Sequence, residues 1–455
     1  MKDAGADIGP DGAAVCAALL DAAKKAGAEA ADAVAVAAES VSADVRGGRL
    51  EQAERAEGVD IGLRVLIGRR QATVSASDAS PETIRVLAER AVAMAKAAPE
   101  DPYCGLADPS QLTDRRDAAG LDLVDPAEPP SPQALEEMAR QAEAAALAVK
   151  GVTQAEGAGA SWSRRRLHLA ATNGFSGGHE RTTSGLYVSA IAGEGAGMER
   201  DYRGESRRRA ADLPDAAEIG RDAGERAVAR LSPRRAPTGA WPVIYDRRVS
   251  SSLIGHLIGA ANGASVARGA SWLKTRMGEQ VIPRGLDIVE DPLRPMGAAT
   301  RPFDAEGLPV GTRAFVADGV LKSWVLDLAS ARQLGLASTG NAMRAPGSTP
   351  SPGTTNLRLT QGVRSLRALM AEMGTGLLVT SMIGASINPN TGDYSRGASG
   401  FWIEGGEIAY PVNEITIAGN LAEMLASIAP ADDAEEERVS VVPSLRVEGL
   451  TVAGG

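Results

Sequence analysis

The sequence predicts an α+β protein of two domains: an α/β N-terminal region over residues 1–231 and a β-rich C-terminal domain over 232–455. Three observations predict it. Runs with helical apolar spacing interleave with alternating, strand-like runs through the first half. The stretch RLSPRRAPTG at 230–239 reads as an interdomain linker. Beyond residue 282, short strand-like runs punctuated by glycine dominate.

The elements follow in order. DGAAVCAALLDAAKKA, 11–26, has helical spacing with Asp11 placed as a cap. ADAVAVAAESVSADVRGG and GVDIGLRVLIGRRQATVSASD alternate as strands, with Gly68-Arg69-Arg70 at a hairpin turn. Ser80-Pro81-Glu82 is a helix start, because serine caps, proline fits the first turn and glutamate complements the dipole. Residues 99–131 are proline-rich and read as an extended crossing segment that subdivides the N-terminal region. A helix over 132–150 follows, then strands at 152–172 and 183–193 and a helix near 215–231. WPVIYD is a strand of buried type, and SSLIGHLIGAANG, 251–263, is a helix whose Gly255, Gly259, Ala260, Ala261 and Gly263 are expected to pack closely on the core. The acidic run ADDAEEERVS is expected to be a solvated turn.

Composition excludes several function classes. A net charge of -10 argues against nucleic acid or an anionic membrane as the main partner. No apolar run reaches the roughly 20 residues a membrane helix needs. Cys16 and Cys104 make no disulfide framework and no leader pattern opens the sequence, so a cytoplasmic location is expected.

Chemistry-bearing residues are sparse. His179-Glu180 begins like a zinc-binding helix motif, but the continuation lacks a histidine at i+4, and the setting reads as a glycine-rich turn. His168 alternates with apolar residues as a strand histidine. The basic clusters Arg164–Arg166 and Arg207–Arg209 raise phosphate binding, against which a solvated strand face is the simpler reading. Ser252 and His256, four apart, could meet on one helix face, but no G-x-S-x-G elbow accompanies them.

Several separated stretches resemble the TldD/PmbA family, and specifically its PmbA (TldE) branch. They are GLRVLIGRRQATVSASDASPE (62–82), APEDPYCGLAD (98–108), RPFDAEGLP (301–309), DGVLKSWVLD (318–327), STGNAMR (338–344) and INPNTGDYSRGASGFWIEGGEIAYPVNEITIAGNL (387–421). The resemblance implies a metallopeptidase-related, two-domain protein. TldD-type and PmbA-type subunits pair into a heterodimeric peptidase for unfolded or modified peptides, and some members carry the label modulator of DNA gyrase. The TldD branch has a helical H-E-x-x-x-H motif plus a C-terminal cysteine, which hold zinc, with the glutamate as general base. Laid on that motif, this chain has Ser251 for the first histidine, Ser252 for the glutamate, and keeps only His256. RVSVVPSLRVEGLTVAGG supplies no cysteine.

The resemblance therefore implies a chain with no catalytic residue of its own and no bound metal or other cofactor, His256 being a packed remnant. Zinc would belong to a TldD-like partner in a heterodimer, with a homodimer open in isolation. A non-catalytic peptide-binding or modulator homodimer and a stand-alone hydrolase are the alternatives. Peptides could add as a strand to a sheet edge within 384–400 or 405–420.

Overall fold

The structure is a computed structural model and describes residues 11–454. Its first half is a six-stranded antiparallel sheet in the order β3-β2-β1-β4-β5-β6. The strands are β1 (Ala30–Arg46), β2 (Arg49–Ile67), β3 (Arg70–Ala76), β4 (Val152–Ala171), β5 (Ser176–Ala192) and β6 (Glu199–Arg207). Four helices cover one face: α1 (Gly12–Ala26), α2 (Pro81–Ala97), α3 (Pro132–Leu147) and α4 (Ala216–Ala229). Asp11 accepts from Ala13 N and Ser80 from Thr83 N, so the two predicted caps form, and Ser131 caps α3 by accepting from Ala134 N. The helix face is aliphatic and small: Ala33, Ala35, Ile61, Leu63 and Val65 meet α1 and α2, while Ala158, Ala160, Leu186 and Val188 meet α3 and α4. Few aromatic rings are needed because alanine lets helix and sheet approach closely.

The second half is built on a closed barrel. β7 (Gly239–Tyr245), β8 (Gly376–Ile387), β9 (Asp393–Glu404), β10 (Glu407–Asn420) and β11 (Leu445–Gly454) are ordered β10-β9-β8-β7-β11, and β11 pairs back to β10 through Ile415↔Gly454 to Ala418↔Thr451. Closure removes sheet edges where the strands pair on both sides, leaving an edge only where a strand overruns its neighbour. Val243, Tyr245, Leu377, Val379, Trp402, Ile417 and Val452 fill one cluster with Leu253, Ile254 and Leu257 of α5 (Arg247–Ala260). Short strands at Ile288–Glu290, Arg313–Ala317, Val320–Leu321, Leu357–Leu359 and Ser440–Val441 make a second sheet. Among the described residues, no helix is long and apolar enough to cross a membrane.

Several expectations change in three dimensions. His179 and Glu180 lie inside β5, not in a turn, because the strand begins at Ser176 and pairs with β4 along its length. β6 is a strand the pattern did not reveal; its residues are mostly charged and partner across the sheet rather than into an apolar core. The stretch 230–239 runs between the halves and is anchored on both: Arg230 bridges Glu199 and Asp201 and donates to Ser399 Oγ at 2.8 Å, while Arg234 N donates to Pro411 O at 2.8 Å. The acidic run is a turn with residues 436–439 exposed, as expected, and ion pairs fix it: Glu435 is held by Arg247 at 2.9 Å and Arg438 at 2.7 Å, and Glu436 by Arg358.

The halves are joined by charge as well as shape. Arg344, on the second half's 341–353 hairpin, reaches Asp32 on β1, which also binds Arg64 on β2 at 2.5 Å. Pro346 sits directly on Gly62, where a Cβ would meet its carbonyl oxygen at 2.0 Å. Arg332 donates to the carbonyls of Tyr103 and Leu106 at 3.0 and 2.7 Å, fixing the crossing segment 99–131.

Candidate functional site

Helix α5 starts where β7 leaves the barrel. Asp246 caps it by accepting from Arg248 N at 2.9 Å. Ser250, Leu253, Ile254, Leu257 and Ile258 point into the core at helical spacing, which turns Ser251, Ser252, Gly255, His256 and Gly259 outward or sideways. The expectation that Gly255 and Gly259 pack on the core is therefore corrected. Both are exposed with nothing within 4 Å of an added Cβ, whereas Gly263, one turn on, would place a Cβ 2.3 Å from Leu326 Cδ2.

Ser251 and Ser252 line a cleft of about 650 Å³ between the halves. Asp201 and Tyr202 of β6 form one wall, Arg248 and the two serines another, and Thr380 to Met382 of β8 a third. Asp201 is held by Arg248 at 3.1 Å and Arg230 at 3.5 Å, so its carboxylate is committed to ion pairs. Sequence reasoning missed Asp201, because β6 is distant from α5 in the chain. The β8 wall also carries a free strand edge. β7 pairs with β8 only through Leu377 to Val379, so residues 381–383 and 386–387 have β9 on one side, across a register shift, and no second strand among the described residues. In the 405–420 stretch, residues 415–418 have strands on both sides, while 407–414 have β9 on one side and, among the described residues, only the isolated Arg234↔Val412 bridge on the other.

Ser252 Oγ donates to Val249 O at 2.7 Å, back along its own helix. His256 turns toward Tyr394, edge to face at 5.9 Å, and its Nε2 is buried without a hydrogen-bond partner among the described residues. Burial first, and then the Arg396 guanidinium, hold its pKa below the usual histidine range, so the ring is neutral at pH 7. The serine and histidine are thus not assembled as a nucleophile and base.

This donor set does not fit a zinc ion. It offers one imidazole and two hydroxyls, with an arginine rather than a carboxylate beside the ring. Among the described residues no three His, Cys, Asp or Glu side chains come together at ligating distance.

Comparison with known proteins places these features in context. Profiles of the PmbA/TldA metallopeptidase domain 1, central domain and C-terminal domain match residues 31–95, 125–231 and 238–454. Metalloprotease PmbA of Escherichia coli O157:H7 is 37% identical over 415 residues, 90% of each chain. The Metalloprotease PmbA homolog of Haemophilus influenzae is 35% identical over 96% of this chain and 94% of its own. In structure, a Bacteroides thetaiotaomicron protein described as a candidate modulator of DNA gyrase superposes with a TM-score of 0.89 at 25% identity, over 97% of this chain and 98% of its own. TldE from Thermococcus kodakarensis shares the fold, with a TM-score of 0.84 at 21% identity over 97% and 100% of the two chains.

Proposed function

We propose a function from one premise: this chain belongs to the PmbA/TldA metallopeptidase family. It acts as the PmbA/TldE-type subunit of a TldD/PmbA-type peptidase for unfolded or modified peptides, and a TldD-like partner supplies the zinc and the general base. The observation that carries this reading is α5. Its outward face presents Ser251, Ser252 and His256 to a cleft and its margin, with no second ligand nearby. A lone neutral imidazole holds zinc weakly against competing cellular ligands, and serine does not serve as a base at neutral pH.

The same helix explains how such a subunit contributes. Gly255 and Gly259 leave the exposed backbone of α5 bare, and the free edge of β8 beside it offers unpaired backbone groups. A peptide added along 380–387 would be held by its main chain, which suits a substrate class defined by being unfolded rather than by sequence.

The test is zinc content and peptide cleavage of the purified chain, alone and with a TldD-type partner, with and without chelator. The expected result is far less than one zinc per chain, and chelator-sensitive cleavage only in the mixture. Stoichiometric zinc lost on His256→Ala would overturn the proposal, as would chelator-insensitive cleavage by the chain alone that disappears on Ser252→Ala. Failure to form a complex with the partner would favour a peptide-binding homodimer.

A further inference from the structure

The second histidine-bearing region of the sheet carries an observation that α5 does not use. The run Arg164-Arg165-Arg166 lies in β4, so its side chains alternate between faces. Arg164 and Arg166 point to the helix side, where both bind Glu180 of β5. Arg165 points to the other face. Its directly opposed residue is Arg181 of β5, and the next pair along is Leu167↔His179, so Arg165, Arg181 and His179 share that face. From the second half, Phe303 packs edge to face on His179 at 5.9 Å, and the Arg301 charge acts on both His179 and Arg181.

Like charges directly opposed across a sheet are destabilising unless something compensates. Here no carboxylate does. Among the described residues no ion pair joins Arg165 or Arg181 to an acid, and the charged groups bearing most on Arg181 are Arg208, Arg165 and Arg301. Arg208 and Arg301 are themselves buried and donate to backbone carbonyls, Arg208 to Gly297 O at 3.1 Å and Arg301 to Ala342 O at 2.7 Å; Asp304 and Glu290 offset the charge of Arg301, whereas no acid is paired with Arg208 among the described residues. Burial, followed by these neighbours, lowers the Arg181 pKa to about 10. The contrast with the rest of the acidic chain is sharp, since most other arginines have an acid within reach.

His179 shows what chemistry the cluster would accept. It is 9% exposed, and burial followed by Arg181, Arg165, Arg301 and Arg208 drops its pKa to about 3, so the ring is neutral. Arg181 Nη2 lies 3.2 Å from His179 Nε2; arginine can only donate, so Nε2 accepts. The ring proton is then on Nδ1, which is buried and has no partner among the described residues. A buried N–H donor beside unpaired guanidinium groups calls for an acceptor with negative charge. The approach is open on one side: Arg165 is exposed, and the same face continues along β4 and β5 through Ser161 and Tyr187, which are also exposed.

We infer that Arg165, Arg181 and the Nδ1–H of His179 form a binding site for an oxyanion, a phosphate or a carboxylate, distinct from the α5 cleft. The two guanidinium groups supply charge and forked donors, and the imidazole N–H fixes orientation from the buried side. The site stands independently of the peptidase reading, because neither Ser251, Ser252 nor His256 takes part in it.

The test uses the full chain with inorganic phosphate as probe, against potassium chloride at matched ionic strength. Phosphate at saturating concentration should raise the Tm by about 2–4 °C, and the His179 ring ¹⁵N resonances should move on titration. Arg181→Gln should abolish the shift, and Arg165→Gln, at an exposed position that cannot compromise folding, should at least halve it. Competition by an acetylated peptide with a free C-terminal carboxylate, but not by its amide, would identify a chain terminus as the natural ligand. Displacement by phosphate compounds alone would identify a phosphorylated one. A Tm shift equal in wild type and both variants, or reproduced by chloride, would overturn the inference.

Discussion

Two arginine groups lie on the helix-free face of the N-terminal sheet, and they are built on opposite principles. At one, Arg64 and Arg344 converge on Asp32, with side chains 5%, 2% and 5% exposed. At the other, Arg165 and Arg181 face each other with His179 beside them on β5 and, among the described residues, no acid paired with either arginine. The first is a closed joint between the two halves of the molecule, in which one buried carboxylate is shared by both guanidinium groups. The second is held in place by the same sheet but leaves its charges for something outside the described chain. Burial of arginine by itself says nothing about function; the presence or absence of the counter-charge separates a structural joint from a candidate site.

The comparison can be broken most forcefully at the joint. Asp32→Ala leaves two buried guanidinium groups unpaired and should cost about 3–5 kcal/mol, read as a fall in the denaturant midpoint. Burial raises the Asp32 carboxyl pKa, but Arg64 and Arg344 outweigh it and hold the group below the usual carboxylate range. Its contribution is therefore complete above the unfolded value of about 4 and vanishes as pH falls through the lower, folded value. Wild type should accordingly lose stability on acidification in a step that Asp32→Ala lacks; parallel acid profiles of the two would contradict this.

A smaller loss is expected at Gly263, where Ala would overlap Leu326 and Val325. Gly263→Ala should cost about 1–3 kcal/mol, measured by thermal melting. At the cationic cluster the sign reverses. In anion-free buffer Arg181→Gln removes like-charge repulsion, so it should be neutral or stabilising by up to about 1 kcal/mol. A loss comparable to that of Asp32→Ala would show that the cluster is a joint after all. The smallest effect belongs to Gly255→Ala, on the bare face of α5: a gain of about 0.5–1 kcal/mol, because nothing lies near the new Cβ. If peptide or partner uses that face, the same variant weakens complex formation or raises KM while the chain itself becomes more stable.

Much of the fold was legible in the sequence. The Asp11 and Ser80 caps and the hairpin at Gly68 were read from local chemistry that does not depend on distant contacts. The helical spacing of α5 was legible for the same reason. Strand β6 was not, since its alternation is between charged partners rather than between apolar and polar residues. The small residues of α5 were read as one packing surface, but helix periodicity sends Gly255 and Gly259 outward while Gly263, beyond the helix end, packs. Arg164–Arg166 was read as a single solvated basic patch. Strand period divides it, pairing two members with Glu180 and leaving the third opposite Arg181.

The sequence by itself determined the α+β class, the helix starts and the identity of the residues on α5, because capping, turn chemistry and periodicity act over a few residues. The tertiary structure alone decided which side chains have counter-charges. Asp32 meets Arg344 across 312 positions, and Arg165 meets Arg181 only through strand register. Charge neutralisation is a property of distance in space, and one residue of register decides which face of a sheet a charge occupies.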